Sequence, residues 1–302
     1  MTTAADPMVW YPDGRAHTPT RPAVLRHRLA EHPLLQLAAL RVLARRLMTT
    51  GQTKFIAKDV QPGSAFSTLT ADVRGRTVDE TFDDIETPGS WISMYNVETE
   101  PEYREMLWSI VGSTGSFREA TDPGVFDVGG FIFVSAPPSV TPFHIDRENN
   151  FLLQIRGRKH FRVWDPADRA TVPLPAVERF IVHRDLADVR YDPSCLPRAL
   201  DAELGPGEGV YMPSTAPHLI STEPHWVAPG NGVSVTIGVV FYTGATRRAA
   251  RRHALNQGLR RLGLTPAEPG RLPAFDAMLS PAASAYVAFR RTFRGFDAPP
   301  GF

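Results

Sequence analysis

Thr141-Pro-Phe-His-Ile-Asp146, followed by Glu148-Asn-Asn150 and by Leu152-Leu-Gln-Ile-Arg-Gly157-Arg-Lys159, is the stretch on which the reading of the chain turns. Side chains alternate faces in an extended strand, so His144 and Asp146 point the same way. One imidazole beside one carboxylate supplies two thirds of a facial 2-His-1-carboxylate metal site. The same pair also suits a hydrogen-bonded couple at a strand end, and His-x-Asp recurs at His183-Arg-Asp185, so the motif alone decides little. His183-Arg-Asp-Leu186 further resembles the start of a kinase catalytic loop. Arg190 stands where that loop needs Asn, and neither a Gly-rich loop nor Asp-Phe-Gly accompanies it. Residues 183–185 are expected to be a loop.

The neighbours of His144 add weight. A third ligand is expected from His218, in Tyr211-Met-Pro-Ser-Thr-Ala-Pro-His218, just past a later strand. His225 sits in a polar loop, and His160 should face away from Lys159. In Lys159-His-Phe-Arg-Val-Trp164 the lysine shares a face with Phe161 and Val163, where an ammonium is costly to bury without an anion. Snorkelling to water at the strand's start is the other reading. If Phe161 and Val163 line a barrel interior, a dicarboxylate is a natural counter-ion. Thr141 and Asn150 offer a hydroxyl and an amide that suit a carboxylate or ordinary turn bonds.

Working outward, Gly130–Ser135 is expected to be a buried strand. Asn150–Arg156 and Lys159–Trp164 are expected to form a hairpin about Gly157. Gly205-Pro-Gly207 turns into the strand Gly209–Pro213, and Val233–Tyr242 is a long β-branched strand. Trp91–Val97 is a further strand, and Pro101–Trp108 a helix opening on proline. Many short strands with Gly and Pro at the turns predict a closed or sandwich-like barrel. Arg26–Met48 has helical spacing broken at His32-Pro33, and Thr50–Thr87 is mixed. Arg179–Asp192 is a polar excursion. Arg247–Leu264 and Ala282–Phe293 predict terminal helices, the first with Ala250, Leu255, Leu259 and Leu262 among six arginines. The expected layout is an N-terminal helical and extended region over 1–89, a β core over 90–245, and a helical region over 246–302.

Composition bounds the possibilities. A chain of 302 residues with 42% hydrophobic and 22% charged residues is ordinary for a globular protein and long enough to bury a core without disulfides or zinc. Net charge of +1 argues against nucleic acid or anionic membrane as a partner. The basic run Arg247–Arg261 lacks the interleaved aromatics of an RNA-binding surface. Cys195 is the single cysteine, which excludes an internal disulfide and multi-cysteine metal sites. The N-terminus lacks the pattern of a signal peptide, and no apolar run is long enough to span a bilayer, so a cytoplasmic location is expected.

Val140-Thr-Pro-Phe-His-Ile-Asp-Arg-Glu-Asn-Asn-Phe151 with Gln154-Ile-Arg-Gly-Arg-Lys159 resembles the jumonji-C and cupin-like 2-oxoglutarate oxygenases. The nearest branch is that of the asparaginyl hydroxylase of hypoxia-inducible factor. The resemblance covers roughly 90–245 and implies a mainly β fold, a double-stranded β-helix (jelly-roll, cupin) with flanking helices. It implies that His144, Asp146 and His218 bind Fe(II). Lys159, fifteen residues after His144, and Thr141, three before it, would hold the distal carboxylate of 2-oxoglutarate, with Asn150 near its metal-binding end. Val239 occupies the place of a polar amide in that hydroxylase, so contacts at the keto-acid end should differ. The implied reaction consumes O2 and 2-oxoglutarate, releases succinate and CO2, and hydroxylates a C–H bond, by analogy one in an amino-acid side chain of a peptide or protein. A small metabolite or natural product is the alternative substrate, and a cupin-type binding protein without turnover the alternative class. Dimerisation through the C-terminal helices is a further implication.

Overall fold

Strand β12 (Ser234–Tyr242) shows how this sequence builds its layers. Val235, Ile237, Val239 and Phe241 point to one side, into a buried cluster that also contains Leu40, Leu43, Leu107 and Ile110 of two helices. Ser234, Thr236 and Gly238 point to the other, into the barrel. Gly238 has to be glycine, because a Cβ there would lie 2.2 Å from the Phe131 ring. The same alternation runs through β7 (Asn149–Arg156), with Phe151, Leu153 and Ile155 on the helix side and Asn150, Leu152 and Gln154 inside.

A computed structural model describes residues 7–56, 60–66, 77–226, 232–299 and 301–302. The remaining strands are β1 (Val9–Trp10), β2 (Ala23–His27), β3 (Thr53–Phe55), β4 (Trp91–Tyr95), β5 (Phe126–Ser135), β6 (Ser139–His144), β8 (Lys159–Val163), β9 (Leu200–Leu204), β10 (Glu208–Met212) and β11 (His218–Thr222). They form an eight-stranded sheet in the order β1-β2-β10-β7-β12-β5-β4-β3 and a four-stranded sheet in the order β6-β11-β8-β9. All pairings are antiparallel. The two sheets face each other over Leu152, Val210 and Met212 from one and Phe161, Val163 and Ile220 from the other. This is the expected mainly β jelly-roll core, and strands from before residue 90 complete its larger sheet.

Helices α1 (Leu37–Met48) and α3 (Pro101–Ser113) cover the outside of the large sheet, with the short helices α2 (Val78–Asp83) and α4 (Gly115–Arg118) beside them. Pro101 opens α3 as the sequence predicts. The outside of the small sheet packs through Phe143, Trp164 and Leu219 on α5 (Leu174–His183), α6 (Gly244–Arg261) and α7 (Pro273–Arg294).

Several local expectations change. The two strands about Gly157 do not form a hairpin: β7 pairs with β10 and β12, and β8 with β9 and β11. Gly157, at φ +67°, carries the chain from one sheet to the other, and a Cβ there would meet the Val233 carbonyl at 2.7 Å. Arg26 and His27 belong to β2 rather than to a helix. The excursion Arg179–Asp192 begins inside α5, whose second half runs from Arg179 to His183. On α6 the buried positions are Ala250, Arg252, His253, Ala254 and Asn256, while Leu262 lies exposed beyond its end. No helix among the described residues is long and apolar enough to cross a membrane.

Candidate metal centre

The site begins with a bulge. Along β6 and β11, His144 is the partner of His218 and Thr141 of Ile220, so β6 has one residue more than β11 between the two pairs. The extra residue falls at Pro142–Phe143 and shifts the alternation. Thr141 and His144 both turn inward, while Phe143 faces outward among Trp164 and the helices. His218 lies past the end of β10, as expected, and opens β11 directly across from His144. Asp146 lies two residues beyond the end of β6, held through its carbonyl by the N–H of Thr215 at 2.7 Å.

His144, Asp146 and His218 present ligand atoms that all lie within 4.8 Å of one another. Asp146 Oδ1 is 3.8 Å from His144 Nε2, and its Oδ2 is 3.6 Å from His218 Nε2. Each imidazole is oriented by the backbone two residues before it. His144 Nδ1 donates to the Pro142 carbonyl at 2.7 Å, and His218 Nδ1 to the Ala216 carbonyl at 3.0 Å. A carbonyl only accepts, so the proton sits on Nδ1 and Nε2 offers its lone pair to the centre. Burial and the neighbouring His218 push the His144 imidazole well below its ordinary pKa, keeping it neutral. Burial raises the Asp146 carboxyl, against His218 and Arg147, which favour its charge. Two Nε2 lone pairs and a part-buried carboxylate converge where a divalent cation would supply the missing counter-charge. The Asp146 side chain is 30% exposed, which leaves one side of the centre open. The Phe66 ring lies against His144, centroids 4.2 Å apart, and Phe143 N–H bonds the Pro62 carbonyl, so residues 62–66 run beside β6.

Deeper in the barrel is Lys159, only 2% exposed and on the inward face with Phe161 and Val163. Its ammonium has no carboxylate partner among the described residues; the Phe133 ring is 5.6 Å away. At this exposure it does not snorkel to water, and burial pulls it down to about 7. Ser221 pairs with His160, which puts Thr222 at the level of Lys159, and Thr222 shares a hydroxyl chain with Ser139 and Ser135 at 2.8 and 3.2 Å. Thr141, the partner of Ile220, is one inward position nearer the mouth. Asn150 is 1% exposed and inward-facing, and neither atom of its amide has a partner among the described residues. Buried amides are seldom left so. Val239 faces the helix side of β12, so the inward neighbours of Asn150 on that strand are Gly238 and Val240.

Tyr95 is a site residue that the sequence reading missed. It ends β4 on the inward face shared with Trp91 and Ser93, and burial raises its phenol, as does the nearby Asp146 carboxylate. Its signal was the alternation in Trp91-Ile-Ser-Met-Tyr95, whose Ile92 and Met94 pack on the helix side. The other histidines lie elsewhere. His160 meets Asp201 on the outer face, His183 bonds Gln257 Oε1 at 3.0 Å, and His225 meets Trp226 edge-on.

Fold and site together define a jelly-roll protein with a candidate His-Asp-His metal centre at the barrel's mouth. The family profile described as the cupin-like domain matches residues 18–246, and the chain belongs to that family. No curated protein matches. Among solved structures, ycfD of E. coli is 19% identical, with 94% of this chain and 67% of that one covered and a TM-score of 0.43. YcfD, described as a ribosomal oxygenase from Escherichia coli, in complex with cobalt and 2-oxoglutarate is 18% identical, covering 88% and 63%, with a TM-score of 0.44. The chain therefore spans about two thirds of the length of these neighbours.

Proposed function

We propose that the protein is an Fe(II)- and 2-oxoglutarate-dependent oxygenase that hydroxylates an unactivated C–H bond. The observation that carries this reading is the inward-facing His144–Asp146–His218 triad above a buried lysine that lacks an anion. His144 and His218 would bind the metal through Nε2 and Asp146 through its carboxylate. Lys159 and Thr141 would hold the distal carboxylate of 2-oxoglutarate, and the unpartnered Asn150 amide would meet its keto-acid end. When bound, iron and 2-oxoglutarate activate O2, with decarboxylation to succinate and CO2 coupled to hydroxylation of the substrate. The chain's own residues do the positioning. Backbone bonds fix both imidazoles, the bulge aims His144, and Phe131, Phe133 and Phe161 keep water from the interior.

The substrate in this reading is an amino-acid side chain of a peptide or protein, approaching past the open edge of Asp146. It rests on the likeness of the motif to the asparaginyl hydroxylase branch and on the oxygenase named among the structural neighbours. Met278, Phe289 and Phe293, exposed on α7, support pairing of two copies through the C-terminal helices. The test is succinate formation with Fe(II), O2 and 2-oxoglutarate over a panel of peptides and a panel of free amino acids and small metabolites. Stimulation by peptides alone supports the reading, and stimulation by small molecules alone replaces the substrate class. No stimulated turnover, or turnover that survives Asp146→Ala, overturns the enzyme.

A further inference from the structure

A second cavity, of about 1160 Å³, lies between the barrel's mouth, residues 19–21 and the helices α6 and α7. Its wall includes Arg21, Arg147, Arg169, Arg248, Arg252 and Arg271, and none of His144, Asp146, His218 or Lys159. The turn through Arg147 and Asn149 separates it from the metal centre.

Two of these arginines are buried with hydrogen-bonding capacity unused. Arg252 is 1% exposed and ion-pairs through Nε with Asp276 Oδ1 at 3.2 Å, yet Nη1 and Nη2 have no partner among the described residues. Arg147 donates from Nη2 to the Tyr242 hydroxyl at 3.4 Å, and its buried Nη1 has no partner among the described residues. His253, next to Arg252, has a buried Nδ1 in the same condition, and burial among the neighbouring arginines keeps its ring neutral. A guanidinium cannot shed its charge as a lysine can, so a buried one left part-bonded calls for an anion.

The wall's six arginines outnumber its four carboxylates. Asp276 is taken by Arg252 and the Gly270 N–H, and Glu268 by Arg169. Asp165 accepts from the Ala167 N–H; Asp122 accepts from the Asn149 amide through Oδ2, its Oδ1 is unbonded among the described residues, and its carboxylate lies near Arg118 and Arg248. Arg21, Arg147, Arg248 and Arg271 have no carboxylate within ion-pair distance among the described residues. Ile181, Ala250 and Phe302 line another part of the same wall, suited to a carbon skeleton. The volume is slightly above the roughly 300–1,000 Å³ of small-molecule sites, with room for a small ligand and water. We propose that this cavity binds a small organic oxyanion, a carboxylate or a phosphate ester on an apolar body, separate from the anion held by Lys159.

Phthalate and phenyl phosphate are the probes, titrated by calorimetry into the metal-free full chain at constant ionic strength. Saturable binding of either supports the site, and which one binds identifies the oxyanion. Arg252→Gln risks the fold, so the rim variant Arg248→Glu/Arg271→Glu is used, and it weakens binding by about tenfold or more. Lys159→Ala leaves binding unchanged, because Lys159 is not on the wall. The proposal is overturned if neither probe saturates, if the rim variant binds as wild type does, or if Lys159→Ala abolishes binding.

Discussion

Replacing Lys159 with methionine removes a buried charge and keeps most of the side-chain volume, so two consequences can be separated. In the empty protein burial holds the ammonium at about 7 against an ordinary 10.5. The unfolded chain therefore binds more protons than the folded one between these values, and stability rises with pH through that window. The penalty is fully present below about pH 7 and relieved near 10.5, and the difference is on the order of 5 kcal/mol. Lys159→Met should thus be the more stable protein in urea at pH 7, by up to a few kcal/mol, and should match wild type as the pH approaches 10. The same variant should lose 2-oxoglutarate affinity by about tenfold to a hundredfold, the worth of a buried charge-assisted bond. Wild-type affinity should weaken as pH rises above 7, because binding then requires Lys159 to take up a proton, and the variant's should not. If Lys159→Met is less stable at pH 7 and binds 2-oxoglutarate as wild type does, the lysine already has its partner and the anion pocket is wrong.

Asn150→Leu should weaken 2-oxoglutarate binding while preserving or raising the urea midpoint, since its amide makes no bond in the empty protein; a large loss of stability would mean it has a structural partner. Gly238→Ala should destabilise the fold by about 1–3 kcal/mol, because the new methyl meets the Phe131 ring inside the barrel, and an unchanged thermal midpoint would contradict the packing described. Phe289→Ser/Phe293→Ser should lower the mass measured by light scattering from that of two copies to one; a monomeric wild type would refute pairing through α7.

What the sequence made legible follows from which forces are local. A lysine in phase with Phe161 and Val163 and the β-branched run of β12 are patterns within a few residues, and the strands drawn from them are those of the structure; His144 and Asp146 do come together, although β6 ends at His144 and Asp146 lies beyond it. The partner of each strand is a non-local choice. Gly157 suits a tight hairpin as well as a passage between sheets, so β7 and β8 look paired although each bonds other strands. Likeness to a motif relates Val239 to the keto-acid end but does not reveal which face a strand residue takes once register is set by distant partners, and Val239 packs on the helix side. Helix α5 was hidden by its polar end at His183. The spacing of Ala176, Val177, Phe180 and Ile181 had the helical stripe, and all four are buried. Tyr95 was passed over because it lies 49 residues before His144, and only the closing of the two sheets brings them near.

The central claim is that His144, Asp146 and His218 hold iron so that 2-oxoglutarate can chelate it beside Lys159. It is tested most directly by adding Fe(II) and then 2-oxoglutarate to the protein without oxygen and recording the visible spectrum. The account predicts a weak charge-transfer band that needs both additions, disappears in His144→Ala and Asp146→Ala, and needs more 2-oxoglutarate to appear in Lys159→Met. Absence of the band in the wild-type protein, or its survival in His144→Ala and Asp146→Ala, would contradict it.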